Sequence, residues 1–494
     1  MLRKSALPPG PKGNWLLGST PEFAKDQVAY LAKYCPQYPD GIMTSMHRMA
    51  NLFVAWDPKW AKHVLQDNAK NYQKGRGYEF LRPMLGNGLL NSEGEFWRQQ
   101  RRLINPAFSK KKVAEYAKVC TDAGERCRDR LGALADSGQH ADMHAEMARV
   151  TMEILSEAVF GSQLEGDKYS LSKDLEEANR DAILRINHPF MLPMWVPTPY
   201  NLSVRGALKR LHAAISQFVL DRKANPGPAD RKRDLLDSLL EARDPETGKA
   251  MDAQQLRDEI ATIFIAGHET TANAMAWTFH CLDRFPEVDA KLRAEVATLE
   301  GRTPTLEDIP NLPYTQLVVK EALRLYPPAW VIGRKNMVDD EIAGYHIPKE
   351  SNVLIPVVYM QRNPEYWPEP LEFRPERHAE ERVKKLPKYA YFPFGAGPRI
   401  CVGMNMALLE MHLLLPQLIS GFRYETEHKT PRGQDALITL HPKDGVPLKV
   451  SRAAIHSASH AQMHSDATPS EAAAAGCPFH QKKLAEEEAA NQRP

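Results

Sequence analysis

One cysteine in a glycine-rich loop constrains this chain more than any other feature. Cys401 ends the segment Phe392-Pro-Phe-Gly-Ala-Gly-Pro-Arg-Ile-Cys and precedes an apolar, helix-like stretch over residues 405–419. Three glycines crowd it, namely Gly395, Gly397 and Gly403. Glycine permits backbone conformations and close approaches that a Cβ atom forbids, as a loop pressed against a flat ligand requires. Because the start of a helix favours a thiolate over a thiol, the loop predicts a sulfur ligand for a metal.

Two other interpretations of this loop compete with a metal site. Gly395 and Gly397 could begin a dinucleotide-binding Gly-x-Gly-x-x-Gly motif, but Ile400 stands at its last position and no strand–helix–strand pattern surrounds it, so we reject that motif. A lone cysteine before a helix is more often a small buried hydrophobic residue than a ligand. Taken alone, the loop leaves the role of Cys401 open.

Composition narrows the classes of protein. The chain has 494 residues, of which 43% are hydrophobic and 26% charged, as in ordinary globular proteins. A formal net charge of +2 provides no overall field for nucleic acid or an anionic membrane. The six cysteines form no Cys-x-x-Cys pair, which argues against a disulfide framework and favours a reducing compartment. We find no run near the roughly 18 apolar residues of a membrane span and no signal peptide, so we expect a cytoplasmic protein.

Three regions follow one another along the chain. Residues 1–20 are rich in proline and glycine and predict an extended N-terminal segment. Residues 21–452 predict a single domain, mainly α-helical up to about residue 299, with β-rich pieces between residues 333 and 358. Residues 453–494 are rich in Ala, Ser, His and Glu and predict a disordered tail. The expected fold class is mainly α with a smaller β region.

The whole string Phe394-Gly-x-Gly-x-Arg-x-Cys-x-Gly403 resembles the haem-binding signature of cytochromes P450. The resemblance implies haem b, iron protoporphyrin IX, with Cys401 as the thiolate ligand of the iron. It implies the P450 fold, in which the haem lies between the I-type and L-type helices. The loop residues that it assigns to cofactor binding are Phe394, Gly395, Arg399, Cys401 and Gly403.

A second motif is Glu321-x-x-Arg324, which places a carboxylate and a guanidinium on one helix face. Such a pair is usually a solvated surface pair. About fifty residues later the chain reads Phe373-Arg-Pro-Glu-Arg377-His. The resemblance implies that Glu321, Arg324 and Arg377 form the buried triad of the family. The usual last Phe of that element is His378 here, which leaves the arginine of the triad intact.

A third motif is Ile263-Phe-Ile-Ala-Gly-His-Glu-Thr-Thr-Ala. Glycine, threonine and a carboxylate weaken an apolar helix, and such inconsistency is expected at functional sites. The alternative is a packing glycine with threonine hydroxyls bonded back to carbonyl groups. The resemblance implies that Glu269 and Thr270 are an acid–alcohol pair that supplies protons for oxygen activation. It also implies that Ala266 and Gly267 open a groove for dioxygen.

A fourth motif is Trp97-Arg-Gln-Gln-Arg101. The indole N–H and the guanidinium lie one turn apart and could reach the same anionic group. In isolation, a tryptophan that anchors a basic surface helix is the better explanation. The resemblance implies that Trp97 and Arg101 bind the haem propionates together with Arg399 and Arg334.

These four motifs indicate a haem-thiolate monooxygenase that inserts one atom of O2 into a hydrophobic small molecule, a fatty acid or a terpenoid. No flavin or iron–sulfur motif follows Cys401, so we expect NAD(P)H electrons to arrive through a ferredoxin- or flavodoxin-type partner and its reductase. The segments expected to line the substrate site are largely apolar and cover residues 77–85, 190–195, 263–266 and 329–332.

Two alternatives stay open. One is a peroxygenase or an isomerase on the same scaffold, against which the retained Glu269-Thr270 pair argues. The other is a haem- or metal-sensing protein that acts through Cys477 of the tail and its neighbouring histidines His456, His460, His464 and His480. An unstructured tail with an incidental cysteine is the simpler explanation of that segment.

Overall fold

The structure is a computed structural model, and it describes residues 7–14, 18–44, 52–161, 168–187, 191–228, 231, 233–426 and 432–453. Within these residues the α-helices, α1 to α17 in chain order, are Thr20–Lys25, Gln27–Tyr34, Pro58–Lys62, Arg82–Leu85, Gly94–Ile104, Lys110–Ala114, Ala117–Ser137, Met143–Phe160, Lys168–Asn187, Pro199–Ala224, Leu235–Glu241, Ala253–Arg284, Pro286–Val296, Pro313–Leu325, Val357–Met360, Glu381–Lys384 and Met404–Ile419. The β-strands, β1 to β12, are Ile42–Thr44, Leu52–Ala55, Tyr72–Lys74, His140–Asp142, Ile332–Asn336, Asp340–Ile342, Tyr345–Ile347, Asn352–Ile355, Phe422–Glu425, Gln434–Ala436, Leu440–Pro442 and Pro447–Arg452. The predicted mainly α fold with a smaller β region is confirmed.

The longest helix, α12, organises the helical core. Its 32 residues span about 48 Å, and the side chain of Asp252 caps its start by accepting a hydrogen bond from the amide of Gln255. The helix packs against α8, α10, α14 and α17. Its second half is almost entirely buried. The third sequence motif lies in α12 and Cys401 lies just before α17, so the fold brings both motifs to neighbouring helices. No helix in the described ranges has the length and apolar character that crossing a membrane requires.

The largest sheet has the strand order β1-β2-β8-β5-β3. Strands β2 and β8 are parallel, whereas the other neighbours are antiparallel. Strand β5 alternates, with Ile332, Arg334 and Asn336 buried. Its pairing with β3 places Arg334 opposite Lys74. The predicted β-rich region is therefore confirmed, and it carries a candidate site residue inward.

Glu321 lies at the centre of a fully buried ion network. Its Oε1 accepts a hydrogen bond from Nε of Arg377 at 2.8 Å, and Arg324 donates to both of its carboxylate oxygens at 2.8 Å. The side chains of Glu321 and Arg324 are 0% exposed. Although burial alone would raise it, the hydrogen bonds from Arg324 and His378 lower the pKa of Glu321 to about 2. The motif is therefore an interior triad and not a solvated surface pair.

His378 completes this network. Its Nε2 lies 2.9 Å from Oε2 of Glu321, and its ring packs against Trp367 and Tyr391 with centroids 5.7 and 5.2 Å apart. The replacement of the family's phenylalanine thus keeps the aromatic packing. It also adds a hydrogen-bond partner to the central carboxylate.

Glu321→Gln is expected to destabilise the fold by about 3–5 kcal/mol, because it leaves two buried guanidinium groups without their carboxylate. The measurement is the free energy of unfolding by denaturant, with exposed Glu381→Gln as the control. An unchanged transition midpoint would contradict the interior role of this carboxylate.

Acid should remove the contribution of Glu321 over a defined pH range. Because the pKa of Glu321 is lowered from 4.5 to about 2 in the fold, its contribution is complete above about pH 4.5 and is lost as the pH falls toward 2. The free energy of unfolding of Glu321→Gln should therefore fall less steeply over this range than that of the wild type. Parallel pH curves for the two proteins would show that Glu321 does not titrate in this way.

Candidate active site

The cysteine loop is held by its own backbone. The amide of Cys401 donates to the carbonyl of Phe394 at 2.9 Å. Gly395 and Gly397 have φ values of +69° and +68°, and a Cβ atom on Gly397 would lie 1.9 Å from the carbonyl oxygen of Leu65. Both positions therefore require glycine. Gly403 differs from the expectation, because its φ of −81° is accessible to any residue and a Cβ there would meet Sγ of Cys401 at an ordinary 3.9 Å.

Cys401 lines a cleft inside the fold. The cysteines Cys35, Cys120, Cys127 and Cys281 are buried, whereas Cys401 remains accessible although protein surrounds it on most sides. This burial raises the pKa of the Cys401 thiol more than the amides of Gly403 and Met404 and the charge of Arg101 lower it. The start of α17 thus lowers the pKa of the thiol, as expected, but burial raises it by more. A metal cation at the sulfur would supply the positive charge that stabilises a thiolate.

Helix α12 presents small residues beside this cleft. Ala266 is exposed, although Ile263 and Phe264 just before it are buried. These two residues and Val402, next to the cysteine, belong to one apolar cluster. A Cβ atom on Gly267 would lie 3.3 Å from the side chain of Leu155, so this glycine packs closely against α8. A groove for dioxygen at Ala266 and Gly267 stays a prediction.

Glu269 and Thr270 make their hydrogen bonds to different partners. The hydroxyl of Thr270 donates back to the carbonyl of Ala266 at 2.7 Å, as the simpler interpretation of the motif expects. The carboxylate of Glu269 accepts from Nδ2 of Asn179 at 3.1 Å and from Oγ1 of Thr439 at 2.8 Å, and it contacts Nε2 of His441. Burial alone would raise the pKa of Glu269, but His441 and Thr439 hold it below its ordinary value. Their action as an acid–alcohol pair stays a prediction.

Trp97, Arg101 and Arg399 come together at the cysteine loop. The guanidinium of Arg399 stacks over the indole ring of Trp97 at 4.3 Å and pairs with Glu93. Nη1 of Arg101 donates to the carbonyl of Ile400 at 2.8 Å. The last turn of α5 is thereby tied to the residue just before the cysteine.

Arg334 joins this group from the sheet, together with a lysine that no motif indicated. Lys74, opposite Arg334 in the sheet, lies with Nζ 4.3 Å from the centre of the Tyr78 ring. Burial and the charges of Arg334 and Arg399 lower the pKa of Lys74 well below its ordinary value. Burial likewise lowers the pKa of Arg399 to about 10. Closely spaced cations cost free energy that an anion would offset.

The chemistry of this residue set fits haem. The cationic cluster, defined as Lys74, Arg101, Arg334 and Arg399, is balanced at Arg399 by the carboxylate of Glu93. A porphyrin with two carboxylates would supply the further negative charge, and Cys401 would supply a sulfur ligand. Sequence reasoning missed Lys74 and Glu93, because only the pairing of β3 with β5 and the contact with Arg399 bring them to the cluster.

The segments predicted to line the substrate site separate into different environments. Leu81, Met84 and Leu85 pack in the same apolar cluster as Ile263 and Phe264.

The other two segments lie elsewhere. Trp330 is buried in a different cluster, with its indole N–H donating to the carbonyl of Leu437 at 2.8 Å. Leu192 and Trp195 are 56% and 76% exposed. Phe190 lies outside the described residues, as do Cys477 and the tail histidines.

Comparison with known proteins agrees with this geometry. The family model for cytochrome P450 matches residues 8–447. Cyclooctat-9-en-7-ol 5-monooxygenase of Streptomyces melanosporofaciens is 33% identical over 410 residues, which cover 83% of this chain and 87% of that protein. Cyclooctatin synthase of the same organism is 35% identical over 379 residues, covering 75% of this chain and 80% of that protein.

The fold agrees as well. The crystal structure of the cytochrome P450DA heme domain superposes with a TM-score of 0.83 at 25% identity, covering 92% of this chain and 99% of that domain. Sequence motifs, fold and relatives thus lead to one conclusion, that this chain belongs to the cytochrome P450 family and is a haem-dependent monooxygenase supplied with electrons by a redox partner.

Proposed function

We propose that this P450 hydroxylates or epoxidises a terpenoid, with Cys401 as the thiolate ligand of haem b. The observation that carries the proposal is an accessible cysteine inside the fold beside the cationic cluster. Two relatives are named for the oxygenation of cyclooctat-9-en-7-ol and the synthesis of cyclooctatin, and a third, from Streptomyces avermitilis, is a pentalenene oxygenase 29% identical over 396 residues. These names support a terpenoid substrate.

The bound haem would activate O2, and the chain's own residues would hold and surround it. Gly395, Gly397 and the hydrogen bond from Cys401 to Phe394 fix the loop that carries the sulfur. The cationic cluster would bind the carboxylates of the haem, and Arg399 would be oriented by its stack on Trp97. Gly403 would begin the helix behind the loop.

Substrate would lie against the apolar cluster beside Ala266. Leu81, Met84, Ile263 and Phe264 would exclude water from the reacting carbon, and the small side chain of Ala266 would leave room for a bulky ring system. An apolar cluster suits a hydrocarbon skeleton. A fatty acid is the second candidate, because leukotriene-B4 omega-hydroxylase 3 of mouse is 29% identical over 469 residues.

Glu269 and Thr270 would manage protons. The hydroxyl oxygen of Thr270 can accept a hydrogen bond while its proton is donated to the carbonyl of Ala266. Glu269 is held ionised by its partners and would pass on a proton only after receiving one. NAD(P)H electrons would arrive through a ferredoxin- or flavodoxin-type protein with its reductase. The free cysteines of the described chain suit a reducing cytoplasm.

The test is titration of the haem-loaded protein with terpenoids and fatty acids, followed by turnover with NAD(P)H, a ferredoxin and its reductase. With a terpenoid, we expect the Soret band to shift from its low-spin to its high-spin position. After turnover under 18O2, we expect a product that contains one 18O atom. Oxygenation of fatty acids alone would favour the second candidate. Product formed only with peroxide, or without incorporated oxygen, would favour a peroxygenase or an isomerase.

Cys401→Ala should remove the thiolate-ligated haem spectrum and all turnover. The chain should still fold, because the side chain is accessible and its loss creates no cavity in the core. The measurements are the absorption spectrum of the reduced protein with carbon monoxide and far-UV circular dichroism. Cys281→Ala, at a buried cysteine of α12, should keep the spectrum. A thiolate spectrum in the Cys401 variant would contradict the assignment.

Arg399→Gln should speed haem loss at least tenfold, because it removes a charge-assisted contact worth roughly 1.5–3 kcal/mol. Transfer of haem to an excess of apomyoglobin gives the rate. Arg98→Gln is the matched control, because Arg98 lies on the same helix as Trp97 and pairs with exposed Glu95. Equal rates of haem loss in both variants would refute the role of Arg399.

Ala266→Leu should weaken terpenoid binding by about tenfold, roughly 1.4 kcal/mol, because the larger side chain occupies space at the cleft. The Soret titration gives the dissociation constant. Gln254→Leu adds the same side chain at an exposed position of α12 and should leave binding intact. Unchanged affinity in the Ala266 variant would place the substrate elsewhere.

A further inference from the structure

A histidine near the C-terminal end of the described chain contacts the carboxylate of α12. His441 lies in β11, which pairs with β10. Its Nε2 is hydrogen-bonded to Oε1 of Glu269, a residue 172 positions earlier, and lies 2.9 Å from Oγ1 of Thr439. We propose that His441 is the proton donor that reloads Glu269 in each reaction cycle. This positioning and relay role rests on the function proposed above.

The contacts of Glu269 explain why it needs such a donor. The carboxylate is mostly enclosed, yet the hydrogen bonds and charge of His441 and the hydroxyl of Thr439 keep its pKa below the ordinary value. An ionised carboxylate has no proton to give. Repeated proton delivery from Glu269 therefore requires a neighbour that gives up a proton near neutral pH and recovers it from water.

His441 is the titratable group placed for this task. Thr439 and Asn179 also touch the carboxylate, but neither changes its charge near neutral pH. On α8, His144 contacts Oδ1 of Asn273 at 2.8 Å, and burial lowers its pKa. Burial also lowers the pKa of His268, which precedes Glu269 on the same helix.

Other titratable groups surround the imidazole of His441. Asp142 acts on His144 from the end of β4, and the rings of His144 and His441 lie 5.4 Å apart. A proton on His144 would disfavour one on His441. Burial disfavours a proton on His144 and on His268, and of these three histidines His441 is the one hydrogen-bonded to the carboxylate.

The transfer is a simple proton exchange. The Nε2–H bond of the protonated imidazole breaks and an O–H bond forms at Oε1 of Glu269, which leaves both groups neutral. The neutral ring keeps its proton on Nδ1, and once the carboxyl group has passed its proton on, the vacant Nε2 of His441 takes a new proton from water. Its side chain is 18% exposed, which gives it contact with solvent. One proton moves from water to the carboxyl group, and no electrons are transferred.

The test compares His441→Gln with His144→Gln in the haem-loaded protein. His144 is the matched control, because it belongs to the same polar network but contacts Asn273 and not Glu269. The first readout needs no turnover: the infrared C=O stretching band of the Glu269 carboxyl group, identified by its absence in Glu269→Gln, is followed against pH. In His441→Gln the band should appear at higher pH than in the wild type, because burial then dominates the pKa of Glu269.

The second readout is the coupling of electrons to product. In His441→Gln the fraction of NAD(P)H electrons found in product should fall at least threefold, with a matching rise in hydrogen peroxide. Wild-type coupling should decline on the alkaline side, and this decline should disappear in the variant. His441→Lys, which restores a proton donor of higher pKa, should regain coupling and move the decline to higher pH. His144→Gln should behave as wild type in both readouts.

Wild-type coupling and pH dependence in His441→Gln would overturn the proposal, as would an unmoved infrared band. If His441→Gln does not fold, His441→Lys decides by the position of its alkaline decline. Failure of the wild type to oxygenate any terpenoid or fatty acid would instead refute the proposed function. The infrared titration would still decide the contact between His441 and Glu269.

Discussion

The buried carboxylate of Glu321 is the point on which the candidate site depends. It fixes Arg324, whose other N–H groups donate to the carbonyls of Gln361, Pro370 and Glu372. The side chain of Gln361 donates in turn to the carbonyls of Leu323 and Arg324 and accepts from the amide of Phe392 at 2.9 Å. Phe392 begins the cysteine loop. A continuous set of buried hydrogen bonds therefore runs from one carboxylate in α14 to the segment that places Cys401. Displacement of a single residue in this set would leave a buried donor without its acceptor.

Repulsion among the positive charges of the cationic cluster is a second feature of the site. The guanidinium groups of Arg101 and Arg399 are anchored to the backbone carbonyls of Ile400 and Ser92, and Glu93 accepts from the amide of Lys74. These contacts hold like charges close together, and Glu93 offsets the charge of Arg399. Such a site favours an anionic ligand, and its cationic side chains are already in position before the ligand binds. Under the proposed function, the rigid loop and the cationic cluster would bind the same group, a flat molecule with a metal at its centre and carboxylates at its edge.

Local patterns in the sequence were sufficient for the skeleton of the site. Cys401 and the motif of α12 each lie within a few consecutive residues, and the Glu321 triad combines two short motifs, Glu321-x-x-Arg324 and the segment that contains Arg377. The parts that were missed arise from contacts between distant segments. Lys74 meets Arg334 only through strand pairing, and Glu269 meets His441 only after the C-terminal hairpin packs on α12. Gly403 differs in the other direction. The motif predicts that this position requires glycine, but its backbone conformation is accessible to any residue.

The geometry of one helix explains why Glu269 and Thr270 act on different partners. Successive residues of an α-helix point about 100° apart, so Thr270 shares a face with Ala266, one turn earlier, whereas Glu269 points toward the hairpin. The bond from Thr270 to the carbonyl of Ala266 follows the first face, and the contacts of Glu269 with Thr439 and His441 follow the second. A direct bond between neighbours so oriented would require one side chain to turn away from its present partners. In the proposed relay, the carboxylate would take protons from His441, and the hydroxyl would present them on the face of α12 that carries Ala266.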